Sequence, residues 1–248
     1  MLDKKTSEEI KTLREGGKIL GKILRQIAED VKVGNTGKQL TAKAEELIKK
    51  AGGTPSFKNY HGFPDALCVS INDAVVHGIP TDKPFKEGDL VGIDLGMKYK
   101  GLYTDTAMTV PIGEISAEAK ELLDVTKKSL NIAIKQLKVG GYISDIGKAI
   151  EELVKPYKYG IVRDLAGHGV GRQVHEDPSV PNYYPGKKSV KIYDGMVIAI
   201  EPMLIMGGDW RIKIKDNKWD VLSKDGSLTA HFEHSIAITK DGPIILTE

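Results

Sequence analysis

Four acidic residues stand where burial is expected. Asp94 closes the apolar run Leu90-Val91-Gly92-Ile93, and Glu201 closes Val197-Ile198-Ala199-Ile200. Asp105 lies in Thr104-Asp105-Thr106-Ala107 and Glu233 in Phe232-Glu233-His234-Ser235, each opening an apolar alternation. Strands rich in Val and Ile are built to be buried, and a buried carboxylate is costly unless it is paired or holds a cation. No Lys or Arg interrupts either Val/Ile run, so simple salt bridges do not account for these acids. Four such groups point to one cation site.

Two of the six histidines, His168 and His175, lie in the glycine-rich segment Gly167-His168-Gly169-Val170-Gly171-Arg172-Gln173-Val174-His175-Glu176. The glycines argue against a helix, so this is not the helical His-Glu-x-x-His zinc motif. They permit tight turns and close approach to a ligand. Four carboxylates and one imidazole are too many for one tetrahedral zinc and suit two five- or six-coordinate ions such as Mn, Fe or Co, with some carboxylates bridging. A paired site spans ~3.5–4 Å and lowers the pKa of a shared water towards neutrality. The reaction class is metal-assisted hydrolysis. Phosphoester hydrolysis could use the same ligands, but no glycine loop leads into a helix to cradle phosphate, and no Arg cluster is present.

The elements that must position these groups come in two similar sets. Val31-Lys32-Val33-Gly34 is echoed by Leu137-Lys138-Val139-Gly140, and Glu45-Glu46-Leu47-Ile48-Lys49 by Glu151-Glu152-Leu153-Val154-Lys155. Both echoes share a displacement of about 106 residues, the mark of an internal repeat. Carried forward, it sets Asp94 within one residue of Glu201. Asp105 matches Glu233 once the second half carries an insertion, which the polar stretch 213–218 can supply.

Thr6 with Glu9, and Thr36 with Gln39, read as capping boxes opening two helices, the second stopped by Gly52-Gly53. Strands are expected at 66–71 and 74–77, then one ending at Asp94, a polar turn at 98–101, and a return strand at 103–110. The second half repeats the order: helices at 116–138 and 144–155, the latter stopped by Pro156, then strands near 159–162, 195–201, 210–214 and 230–239. Two helices followed by antiparallel strands, twice over, predict an α+β fold: a curved antiparallel sheet with helices on its outer face and the acids on its inner face. The 248 residues are expected to form one catalytic domain, 1–248, of two halves at roughly 7–113 and 114–248.

Composition excludes several classes. A formal net charge of +2 gives no sign of specific nucleic-acid binding. The single cysteine, Cys68, cannot form an intramolecular disulfide, so a reducing compartment is expected. No apolar run approaches the ~20 residues of a membrane span, and Met1-Leu2-Asp3-Lys4-Lys5 leads into a helix start without a secretory apolar region.

The series Tyr60-His61-Gly62-Phe63-Pro64, Ser70-Ile71-Asn72, His77-Gly78-Ile79-Pro80, Asp94-Leu95-Gly96, Thr104-Asp105-Thr106-Ala107, Gly167-His168-Gly169-Val170-Gly171, His175-Glu176, Glu201-Pro202 and Phe232-Glu233-His234 resembles the type I methionine aminopeptidases, from about Glu9 onward. The resemblance implies the pita-bread fold, with pseudo-twofold halves. It implies two divalent metal ions per chain (Co, Mn, Fe or Zn), with Asp105 and Glu233 bridging, Asp94 on one ion, and His168 and Glu201 on the other. His77 and His175 match the catalytic, substrate-contacting histidines, and Glu201 the residue that shuttles the proton. Tyr60, Phe63, Cys68, His77 and Trp219 match the lining of a methionine pocket, where a polarizable thioether packs on aromatic edges. Phe57 and Val174 stand where family members often have cysteine and phenylalanine. Asn72, Ala74 and Thr229 fall where some members hold a monovalent cation.

The implied activity is co-translational removal of the initiator methionine when the second residue is small, by water activated between two metals. Nascent N-termini are the substrate, with transient ribosome association, a cytoplasmic location, a monomeric chain, and no membrane or specific nucleic-acid partner. Two other readings share the scaffold. Prolidase-like peptidases usually carry an extra N-terminal domain, whereas the residues before Tyr60 are expected to hold two helices and little else. A non-catalytic relative would be expected to have lost ligands, and none is missing here.

Overall fold

The computed structural model describes residues 4–248. Met1, Leu2 and Asp3, part of the expected 1–248 unit and of the N-terminus read above, lie outside the described residues. Among the described residues four α-helices form: α1 (Ser7–Ala28), α2 (Gly37–Lys50), α3 (Ala117–Lys135) and α4 (Ile143–Val154). Both capping boxes are made. Thr6 Oγ1 accepts from Glu9 N at 3.2 Å while Glu9 Oε2 accepts from Thr6 N at 2.7 Å, and Thr36 and Gln39 repeat the exchange. Each exchange satisfies amides that a helix start would leave free. α3 stops at Lys135, short of the expected 138. Beyond Val154 the chain tightens into the 3-10 turn Lys155–Tyr157, with Pro156 inside it rather than after it. Proline is tolerated in a first turn, where its missing N–H bonds nothing.

One antiparallel sheet of nine strands carries the molecule. Leu67–Ile71 pairs with Leu90–Tyr99, which pairs with Leu102–Pro111. That strand pairs with Glu233–Thr239, then Met196–Ile200, then Gly167–Gly169, and Glu176–Val180 lies at the edge. The junction between Leu102–Pro111 and Glu233–Thr239 is therefore a pseudo-dyad, with three corresponding strands on each side. Strand Leu90–Tyr99 runs five residues past Asp94. The hairpin turns at Lys100-Gly101, whose φ of +47° and +89° suit the two-residue turn that matches strand twist.

One face of each half-sheet is covered by its own helix pair. Leu20, Leu24, Ile27, Leu40 and Ile48 of α1 and α2 pack on Val91, Ile93 and Leu95. Leu122, Leu130, Ile146 and Ile150 of α3 and α4 pack on Ile198, Ile200, Ile236 and Ile238. Side chains alternate faces along a strand, so Asp94, Asp105 and Glu233 turn to the opposite face. Gly17 and Gly21 let α1 press on the chain near its C-terminus. A Cβ at either would come 2.4 Å or 2.3 Å from the carbonyl oxygens of Leu246 and Thr247.

The expected 230–239 strand is two strands. Thr229–His231 pairs with Met203–Ile205 in a separate three-stranded sheet, and Glu233–Thr239 belongs to the main sheet. The partner chain breaks at the same level, at Glu201-Pro202 between Met196–Ile200 and Met203–Ile205. Proline has no N–H for a ladder, so both strands change sheets at the two glutamates. The expected 210–214 strand narrows to Ile212–Ile214. It lies in the stretch between Met196–Ile200 and Glu233–Thr239, the predicted insertion, where the first half has only a two-residue turn.

Candidate metal centre and its cavity

Strand register assembles the site. Cys68 pairs with Asp94, Asp94 with Ala107, and Ala107 with Glu233, giving one row across the sheet. Glu201 follows Ile200, the partner of His234, and extends this row. A second row starts at Gly96, which pairs with Asp105. Asp105 N–H donates to Ser235 Oγ at 2.9 Å, and Ser235 pairs with Ala199. His168 precedes Gly169, the partner of Ile198, and so lies beside Ala199.

The pseudo-dyad is marked by hydrogen bonds made once in each half. Gly88 N donates to Ile112 O as Gly195 N does to Ile238 O, and Thr109 Oγ1 bonds the backbone N and O of His231 as Ser235 Oγ bonds those of Asp105. Asp94 then corresponds to Glu201, as the displacement taken from the helices expects, and Ala107 to Glu233. Asp105 corresponds to His231, so the expected match of Asp105 with Glu233 is two strand positions out, a slip that keeps a side chain on the same face.

Ligand atoms of Asp105, His168 and Glu233 lie within 4.8 Å of one another, all buried. Glu201 Oε1 is 3.7 Å from His168 Nε2, and its other oxygen is 3.3 Å from His231 Nε2. Asp94 stands outside the tight trio but lines the same cavity. Buried oxygens of Asp94, Asp105 and Glu233 have no hydrogen-bond partner among the described residues. Burial, then repulsion from Asp105 and Glu201, holds the Asp94 carboxyl well above the carboxylate range. Burial and the same kind of repulsion do so for Glu233. Burial raises Asp105 to about 6, against the pull of the His168 ring. Burial opposes the Glu201 charge too, but the His231 hydrogen bond and the surrounding imidazoles bring it below its ordinary value. Unpartnered oxygens and mutually repelling acids around one point are a donor set suited to hard divalent cations, so the residues fit such ions.

The cavity measures about 250 Å³. Asp94, Asp105, His168, Glu201, Glu233, His77 and His175 give it polar walls, and Phe57, Phe63, Cys68 and Trp219 give it apolar ones, with Tyr60 and His61 completing the lining. Phe63 meets Trp219 edge to face at 5.1 Å. Trp219 is aimed by a local turn: Asn217 Oδ1 accepts from Trp219 N and Asp220 N, each at 3.0 Å. Asp220 Oδ1 accepts from Ile79 N at 3.0 Å, tying that turn to the segment after His77. Val174 and Phe57 join Phe63 and Cys68 in one apolar cluster. Burial, then the charges of Asp94 and Asp105, pushes the Cys68 thiol well up, which makes it an apolar wall rather than a nucleophile.

His77 has φ +58°, a left-handed conformation uncommon for a side chain of this size. Gly78 permits it by pressing on the neighbouring strand, where a Cβ would lie 2.1 Å from Val69 O. Burial lowers the His77 pKa. His175 stacks edge to face on His168 at 4.2 Å, and its Nδ1 lies 3.0 Å from the Tyr60 hydroxyl. Burial, then the His168 charge, lowers His175 to about 4. Thr229 Oγ1 lies 2.9 Å from Asn72 O and 2.8 Å from Ala74 O, so the three residues named for a monovalent cation are neighbours.

Sequence reasoning missed His231, which is 4 % exposed and faces Glu201. Its place opposite Asp105 in the internal repeat was the available signal. His61 was also missed as a lining residue. No helix among the described residues is long and apolar enough to cross a membrane.

The family model described as metallopeptidase family M24 matches residues 11–240. A curated relative from Clostridium perfringens, a methionine aminopeptidase, is 44% identical over 247 residues, covering 100% of this chain and 99% of its own. A crystal structure of methionine aminopeptidase from Thermotoga maritima superposes with a TM-score of 0.97 at 42% identity, covering 100% of both chains. A prolidase from Pyrococcus furiosus superposes with a TM-score of 0.80 at 26% identity, covering 99% of this chain but 65% of its own.

Proposed function

The chain belongs to metallopeptidase family M24, and from that premise we propose that it removes the initiator methionine from nascent proteins whose second residue is small. The observation that carries this reading is the lining of one cavity, which joins an apolar, aromatic cluster to a set of buried carboxylates and imidazoles. At about 250 Å³ it is smaller than a drug-sized site, typically ~300–1,000 Å³. That suits one amino-acid residue. Phe57, Phe63, Cys68 and Trp219 offer a thioether the aromatic edges it packs on.

Asp94, Asp105, His168, Glu201 and Glu233 would hold two divalent cations, which would supply Lewis-acid polarisation of the scissile carbonyl and acidify the attacking water. Glu201, kept ionised by His231, accepts the proton of that water and returns it to the leaving amine. His175 stays neutral at neutral pH. With the Tyr60 hydroxyl donating to Nδ1, its proton sits on Nε2 and donates to the scissile amide. His77, neutral and locked by its backbone, contacts the substrate beside the leaving group. Apolar walls exclude bulk water, and the closed slot rejects a long second side chain by steric clash.

The cytoplasm is the compartment this substrate implies, with the chain a monomer that docks transiently at the ribosome. The test is direct. Purified protein titrated with Mn or Co is expected to release methionine from Met-Ala-Ser far faster than it cleaves Ala-Pro peptides. Preference for Ala-Pro would instead favour a prolidase-like activity.

A further inference from the structure

Lys5 is 2 % exposed, the least usual place for a lysine. Its Nζ forms a salt bridge with Glu176 Oε2, whose side chain is itself buried. Glu176 directly follows His175. Its other oxygen accepts from Arg172 N at 2.5 Å and Gln173 N at 2.7 Å, the two amides of the turn that leads into His175. The same turn is joined to the hairpin strand of Asp105, because Gly171 O accepts from Tyr103 N at 2.6 Å.

The surroundings are shaped around Lys5. A Cβ on Gly171 would lie 2.5 Å from Lys5 Cε, and one on Gly195 would lie 2.7 Å from Lys5 O. Lys5 N donates to Gly195 O at 2.8 Å. On either side, Lys4 pairs with Asp194 at 2.9 Å, and Arg172 reaches Glu9 at 2.8 Å. The segment before α1 is thus strapped across the loop that presents His168 and His175.

We propose that Lys5 is a positioning residue for His175, acting through Glu176. A buried cation is costly without its partner, and its partner costs as much without it. Lys5 therefore fixes the Glu176 carboxylate, the carboxylate fixes the 172–173 amides, and the turn they form aims the imidazole at the substrate. A staple that only held the N-terminal segment would not need the second carboxylate oxygen on the His175 turn. The proposal rests on the peptidase reading for His175, but its structural half stands without it.

The test uses the full chain. In metal-free protein, hydrogen exchange at Arg172 and Gln173 is expected to be slow in the wild type and at least about tenfold faster in Lys5→Met. With saturating Mn, Lys5→Met is expected to lower kcat on Met-Ala-Ser by about ten- to a hundredfold, as a misplacement of about 1 Å would, with KM within about twofold. Lys5→Arg should recover most of that loss. Glu176→Gln, which keeps the amide-accepting oxygen and loses the charge, should show the same kcat defect if Lys5→Met does not fold. Folded Lys5→Met with wild-type kcat and unchanged exchange would overturn the proposal. A wild type inactive on Met-Ala-Ser, with the exchange result intact, would overturn the function but not the strap.

Discussion

Asp105 and Glu233 each leave one buried oxygen without a hydrogen-bond partner among the described residues. Neither oxygen contributes to stability unless something positive meets it. Asp105→Asn is expected to fold and to keep or raise its metal-free thermal midpoint, because it relieves the repulsion that raises Asp94. Its kcat should fall about a thousandfold or more. Wild-type-like turnover at saturating metal would refute a bridging role for Asp105. At this scale the acids were legible because a carboxylate ending a Val/Ile run is conspicuous. His231 was not, because it stands in no motif and only the fold turns it towards Glu201. Lys5 was illegible for a related reason: one Lys among a lysine-rich set carries no sign that it is buried.

Helix α1 is seated by what its glycines lack. Gly17→Ala would gain helix propensity of roughly 1 kcal/mol. The new methyl would meet Leu246 O at 2.4 Å, and a backbone carbonyl directly after the last strand cannot swing aside as a side-chain tip can. Overpacking of this kind costs about 1–3 kcal/mol, so the loss wins. The thermal midpoint is expected to fall by about 2–6 °C, with kcat of the folded enzyme unchanged, as calorimetry and assay would show. A raised midpoint would mean the seat is soft. The helix starts were readable because Thr6-Glu9 and Thr36-Gln39 are local signals. The break at Phe232 was not, since it answers the turn at Glu201-Pro202 on another strand. Neither strand carries that pairing in its own residues. Short strands such as Gly167–Gly169 escaped for the same reason, having register but no alternation of their own.

The whole molecule is two similar halves made unequal at the site. Across the dyad Asp94 is repeated as Glu201, but Asp105 is answered by His231 and Glu233 by Ala107. The space at Gly96 is taken by Ser56 and Phe57, to which a Cβ would come within 2.1 Å and 2.8 Å. One half thus contributes most of the apolar slot and the other most of the neutral and acidic donors beside it. The repeat was legible from the helices, and their displacement carries Asp94 to within one residue of Glu201. The counterpart of Asp105 was not legible, because an insertion hides the second strand from a constant displacement.

Bringing repelling acids together strains the metal-free protein, and a cation that binds only the folded chain stabilises it by mass action. At a hundredfold excess of Mn over its Kd that amounts to about 2.7 kcal/mol, or a thermal midpoint raised by about 5–10 °C over the EDTA-treated protein. An unchanged midpoint would show that the acids hold no ion at that concentration. The most direct measurement of the central claim is a crystal structure grown with Mn, read by anomalous scattering. Two peaks about 3.5–4 Å apart, each within coordination distance of members of the set Asp94, Asp105, His168, Glu201 and Glu233, are the expected result. Peaks elsewhere, or none at that cluster with the fold intact, would contradict it.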